Sequence, residues 1–200
     1  MIKSGSILGW LVLVALVSGI AQTPTTQKET EACTEQDYAI YAAALNDLFG
    51  KEKPDRVVLL DQTSIGFPPG MAATTQFGGK AQALLKDFSK DAKDDFDSRN
   101  KARARIESGK IKTAFELVLM SGESAGKLVE GGRGWTGFHE DYAKSGISLV
   151  SRLGVNADRT KALLYVGTSC DMLCGGGVFV FLGKDGEQWK VLNKVTIWVS

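Results

Sequence analysis

Apolar positions follow two rhythms along this chain. Over residues 34–49 they recur three and four apart, at Tyr38, Tyr41, Ala42, Leu45, Leu48 and Phe49, which is the spacing of one helix face. Thr34 stands where an N-cap belongs, Asp37 favours the N-terminal dipole, and Gly50 stops the helix. A second helix is predicted over Lys80–Asp97, where Ala81, Leu84, Leu85, Phe88, Ala92 and Phe96 form a stripe among lysines and aspartates. From Gly146 to Ser200 the rhythm shortens. ISLVSRLGV, TKALLYVGT, GVFVFLGKDGEQWKVL and KVTIWVS are short runs rich in β-branched and aromatic residues, divided by turn chemistry. They predict an antiparallel meander. Asp185-Gly186 is a two-residue hairpin signal, and the unbroken apolar run Val178–Leu182 predicts a central strand.

The middle of the chain is less regular. Arg56–Asp61 (RVVLLD) reads as a strand buried on both sides. Ser64–Gly79, with Phe67 and Gly70, has no period and much Gly, Pro and Thr. A loop of that length is often a binding loop or lid, so Phe67 and Gly70 are candidate ligand contacts. Arg99–Arg105 (RNKARAR) is locally neutralised by the aspartates before it and is expected to be a solvated helix end. Lys110–Met120 is expected to be a strand, with a helix as the alternative, and Ser121–Glu130 a short helix capped by Ser121 or Ser124. After a break at Gly131, Gly132 and Gly134, the spacing of Trp135, Phe138 and Tyr142 predicts an aromatic ridge on one face of a further helix. The expected fold class is α+β: one domain over residues 34–200, its C-terminal antiparallel meander covered by N-terminal amphipathic helices.

Composition adds a compartment rather than a chemistry. The 200 residues carry a formal net charge of +1, which gives no reason to expect nucleic acid as a partner. Lys3, the apolar run Ile7–Val17 and the small residues ending at Ala21 read as a signal peptide over residues 1–21. Residues 22–33 then form a polar lead-in. The mature protein is expected to be periplasmic or secreted, with no membrane span after cleavage. Three cysteines in an exported chain imply one bridge and one free thiol. Cys170–Cys174 would clamp a hairpin, and a bridge from Cys33 to either is the alternative.

Candidate chemistry is sparse. Gly122-Glu123-Ser124-Ala125-Gly126 matches the nucleophile elbow of serine hydrolases. Its base would have to be His139, the sole histidine, and no oxyanion segment lies upstream. Ser124 and His139 are therefore weak catalytic candidates, and a helix start at Ser121 explains the same residues. His139-Glu140-Asp141 lacks the second histidine of a zinc helix, so no metal and no cofactor is expected. Cys170 and Cys174 are spaced one residue too far for a thioredoxin-like pair. Gly175 and Gly176, with Gly177, could turn N–H groups toward an anion. Arg152, on a strand, could face a carboxylate or phosphate.

A resemblance covers about the last third of the chain. Gly134-Trp135, Ser151-Arg152-Leu153-Gly154-Val155-Asn156, Ala162-Leu163-Leu164-Tyr165-Val166, Gly175-Gly176-Gly177, Gly186 with Trp189-Lys190-Val191, and Trp198-Val199-Ser200 together resemble a pattern found in uncharacterised exported bacterial proteins. The resemblance implies export and a C-terminal sheet, and it brings no activity. The expected function is a non-catalytic ligand- or protein-binding domain, with a small serine hydrolase using Ser124 and His139 as the alternative.

Overall fold

The computed structural model describes residues 32–52, 54–64 and 88–200. The predicted signal peptide, the predicted lead-in before Ala32, the loop beyond Ser64 with Phe67 and Gly70, and residues 80–87 of the second predicted helix lie outside the described residues. Among the described residues eleven elements follow in chain order: α1 (Glu35–Phe49), β1 (Arg56–Leu60), α2 (Lys90–Arg99), β2 (Glu116–Met120), α3 (Gly122–Glu130), α4 (Gly134–Asp141), β3 (Ile147–Val150), β4 (Gly154–Val155), β5 (Lys161–Asp171), β6 (Cys174–Asp185) and β7 (Gln188–Val199).

The strands form one seven-stranded sheet in the order β2-β1-β3-β5-β6-β7, with β4 beside β5. The predicted meander is present in β5–β6–β7, all antiparallel. The sheet as a whole is mixed, which corrects the expectation of a purely antiparallel one. β1 pairs in parallel with both β2 and β3. The physical reason is the length of the connections: helices intervene between β1 and β2 and between β2 and β3, and long crossovers bring strands together in parallel. Parallel strands are covered on both faces, which explains the continuous apolar run of β1. Val57, Val58 and Leu59 are fully buried. The run Val178–Leu182 in β6 is flanked on both sides, yet it lies one strand in from the β7 edge rather than at the centre.

Helices cover both faces. Thr34 and Asp37 close a reciprocal capping box at the start of α1: Thr34 Oγ1 accepts the Asp37 N–H at 3.3 Å, and the Thr34 N–H donates to Asp37 Oδ2 at 2.8 Å. The helix buries Tyr38, Ile40, Tyr41, Ala44 and Leu45 against Leu59, Val150, Leu164, Val166, Val180 and Leu182. Burying Ile40 and Leu45 alone contributes about 1.5–3 kcal/mol each, more than a cap's ~1 kcal/mol. Packing therefore holds α1 on the sheet, and the cap fixes where it starts. On the opposite face, Ala92 and Phe96 of α2 pack on Leu163, Tyr165, Phe179 and Phe181. There Phe138 of α4 and Ala125 of α3 cover Val58 and Met120. The aromatic ridge is as predicted, with Phe138 against Trp135 (centroids 5.6 Å) and Tyr142 (5.5 Å).

Two local expectations shift. The second predicted helix is interrupted: Phe88 is helical, Ser89 is extended, and α2 starts at Lys90, where the Ser89 side chain accepts the Ala92 N–H as its cap. Only Glu116–Met120 of Lys110–Met120 is strand. Asn46 of α1 ties down the segment before it, donating to the Lys112 carbonyl and accepting the Ala114 N–H.

Candidate functional site

The two ends of the sheet differ in chemistry. At the carboxyl ends of β1 and β3, polar groups are buried. Asp37 is 4% exposed, and Arg99 reaches it from the end of α2 with three N–H···O contacts of 3.0–3.2 Å. Burial works against the Arg99 charge, but the hydrogen bonds and charge of Asp37 outweigh it and raise its pKa. The expectation that Arg99–Arg105 is simply a solvated helix end therefore holds for exposed Lys101, Arg103 and Arg105 and fails for Arg99 and buried Asn100. Asn100 binds the backbone of Arg152 in both directions: its Nδ2 donates to the Arg152 carbonyl at 3.0 Å, and its Oδ1 accepts the Arg152 N–H at 2.9 Å. Tyr41 donates to the Ser151 carbonyl at 2.8 Å. Arg152 is 6% exposed and lies between β3 and β4 rather than within a strand. Its backbone knots α2 to the β3–β4 turn. The free thiol of Cys33 is buried beside this cluster. Burial, then the Asp37 charge, pushes its pKa up to about 11. A thiol held protonated is a poor nucleophile.

Ser124 and His139 stand apart. Ser124 is exposed in the first turn of α3, which follows β2, and the Ser121 hydroxyl donates to its Oγ at 2.9 Å. Ser121 is the N-cap, accepting the Ser124 N–H at 3.1 Å. His139 lies on α4, which leads into the opposite end of the sheet, stacked on Trp135 at 5.8 Å. Its ring nitrogens face the carbonyls of Ala143 (Nδ1, 3.1 Å) and Cys170 (Nε2, 2.7 Å). No hydrogen bond joins Ser124 to His139. Among the described residues no cluster of three or more His, Cys, Asp or Glu is arranged to hold a metal.

The end of the sheet that His139 touches is apolar and outward-facing. Cys170 and Cys174 form a disulfide with Cα atoms 5.0 Å apart, so the hairpin clamp is the pairing adopted and Cys33 is free. Ser169 pairs with Gly175 and Asp171 with Cys174, which leaves Cys170 as a bulge residue. The turn is Met172-Leu173. Neither residue has a positive φ, so this is not the primed turn that normally fits hairpin twist. The bulge and the bridge hold the ends instead. Met172 is 87% and Leu173 84% exposed. The stem is braced by close approach at Gly146, whose φ is +79° and where a Cβ would lie 2.2 Å from the Ser169 carbonyl.

Gly175 and Gly176 are strand residues of β6 paired with β5, and no glycine of the run has a positive φ. Their N–H groups do not form an anion nest. Gly177 makes room for an aromatic pair: a Cβ there would lie 2.1 Å from Trp198 Nε1 and 2.4 Å from the Tyr165 hydroxyl, and that indole N–H donates to that hydroxyl at 2.9 Å. The opposite face of the sheet continues beyond the last turn of α1. A cavity of about 360 Å³ opens there between Leu48 and Phe49 of α1 and Val166, Gly176, Val178 and Val199 of the sheet. Lys194, ion-paired with Asp47, stands at its rim. Two further depressions, of about 270 and 540 Å³, flank β2. Neither adjoins an exposed large apolar residue.

No family model matches the chain, and no curated protein or solved structure is significantly similar to it. Of the sequence candidates, the structure brings together Cys170, Cys174, His139, Gly175 and Gly176 at the apolar end, and it places Arg152 and Ser124 elsewhere. Sequence reasoning missed Met172 and Leu173. The signal was present: two large apolar residues occupy turn positions, where polar residues and glycine are the rule.

Proposed function

We propose that this is an exported, non-catalytic protein that binds a protein partner through the apolar end of its sheet. One observation carries the reading: a disulfide-clamped hairpin holds Met172 and Leu173 in solvent at more than four-fifths exposure. Fixing such a turn costs conformational freedom, and a covalent clamp removes most of that cost before binding. Large apolar side chains held out of the core mark interaction sites. The bridge supports an oxidising compartment, in line with the signal-like N-terminus and with the resemblance to exported bacterial proteins.

The test is site-specific photocrosslinking in cells exporting the protein. A benzophenone amino acid replaces Leu173 or, as a control, exposed Lys101 at the other end of the sheet. Polypeptide adducts at 173 and none at 101 are expected. Equal adducts at both positions, or none at 173, would overturn the reading.

A further inference from the structure

Resting on that reading, we propose that the partner is a second copy of this chain: two molecules related by a two-fold axis, each placing Met172 and Leu173 in the other's groove beside Gly176. The patch is self-complementary. Among the described residues four large apolar side chains are exposed: Met172, Leu173, Leu192 and Val199. Three of them belong to this end, two on the knob and one, Val199, lining the groove. Gly176 lies three residues beyond Leu173, so knob and groove stand about 10 Å apart along one strand. A knob and a matching hole side by side on one surface close as an isologous pair, whereas a knob and hole on distant surfaces would polymerise.

Size and charge agree. The groove, at about 360 Å³, falls within the ~300–1,000 Å³ range of pockets that bury a ligand. Its lining is mainly apolar, with Thr168 and Thr196 beside the apolar residues, and its rim cation, Lys194, is paired with Asp47. The knob carries Asp171, exposed beside Met172. In the reciprocal pair Asp171 of each copy approaches the Lys194–Asp47 pair of the other, which fixes orientation more than it adds affinity. A lipid surface fits less well. The segment 169–176 has one acid and no lysine or arginine, whereas interfacial anchors surround their apolar residues with cations.

Sedimentation of the oxidised protein over a concentration series tests the proposal, using wild type, Leu173→Asp and Gly176→Phe. Leu173 is in an exposed turn. A Cβ at Gly176 meets no atom closer than 3.5 Å, so Gly176→Phe fills the groove without striking backbone. The wild type is expected at dimer mass. Each variant alone is expected to dissociate roughly 1,000-fold more readily, a roughly 30-fold hot-spot loss taken once on each side of the two-fold axis. Mixing the two variants restores a dimer, because the intact knob of one meets the intact groove of the other. A monomeric wild type, a dimer indifferent to Leu173→Asp, or open-ended polymers would overturn the proposal. Should Gly176→Phe fail to fold, Leu173→Asp alone decides. A monomeric wild type whose position 173 crosslinks to a different polypeptide sinks the self-association and leaves the binding reading intact. No adduct at 173 sinks both.

Discussion

The two ends of this sheet invert the usual distribution of polar and apolar groups in opposite senses. At the carboxyl ends of β1 and β3, a carboxylate, a guanidinium, an amide and a tyrosine hydroxyl are turned inward and paired. At the hairpin end, methionine, leucine and valine are turned outward. Inward polarity costs desolvation and is tolerated only when the partners are satisfied. Outward apolarity costs the hydrophobic gain of burial and is recovered when something covers it. The first end thus concerns holding the fold in register, and the second concerns contact with another surface. One long helix joins them: α1 caps into the polar cluster at Asp37 and frames the groove at Leu48 and Phe49.

Mutations separate the two ends. Asp37→Ala strands the partly buried Arg99 and removes half of the capping box, so a loss of about 3 kcal/mol is expected from urea unfolding. A loss under ~1 kcal/mol would mean the pair is not a stabilising element. Replacing both bridge cysteines by serine opens a short loop and is expected to cost about 2 kcal/mol. Gly146→Ala forces a side chain onto a positive φ against the hairpin stem, for a loss above ~1 kcal/mol. Unchanged stability there would show that the stem is loose.

Alkaline pH probes the polar end through Cys33. An unfolded Cys33 ionises near 9.0, and the folded one holds its proton up to about 11. The folded state therefore binds the proton more tightly. That contribution is complete below pH 9 and is lost as pH climbs from 9 towards 11. Between pH 8 and pH 10 the loss is on the order of 1 kcal/mol, and burial of Tyr41 deepens it at still higher pH. Cys33→Ser, compared by urea midpoint at the two pH values, should flatten the slope. The smallest stability effect belongs to the other end: Leu173→Asp should stay within ~0.5 kcal/mol of wild type while weakening association.

Much of the fold was legible because it is local. The Thr34 cap, the Gly50 stop, the buried run of β1 and the Ser121 start of α3 each depend on residues within a few positions. The β6–β7 hairpin falls where Asp185-Gly186 signals one, but Asp185 pairs with Gln188, so its loop residues are Gly186-Glu187, with a positive φ at Gly186 and none at Asp185. Strand direction was not legible. Periodicity in RVVLLD reports burial on both faces and says nothing of whether the neighbours run parallel, which depends on the crossovers. The Asp37–Arg99 pair spans 62 residues, and nothing local to Arg99 separates it from the exposed cations that follow. Ser124 was paired with His139 because His139 is the sole histidine, but the parallel crossover sends them to opposite ends of the sheet. The hairpin bridge was one of the pairings that the sequence left open, with a bridge from Cys33 as the alternative. The exposed turn it encloses is marked by two large apolar residues at positions where polar residues and glycine are the rule.

The central claim is that the hairpin end is covered when the protein works. Oxidation of Met172 tests it directly, since an exposed thioether converts readily to the sulfoxide. A brief peroxide pulse is given to the protein in place in its cells and to the purified protein at high dilution, and Met172 sulfoxide is measured by mass spectrometry. Protection in place, with free oxidation on dilution, is the expected result. Equal oxidation in both would mean that Met172 faces solvent throughout, and the account of this end as a binding surface would be wrong.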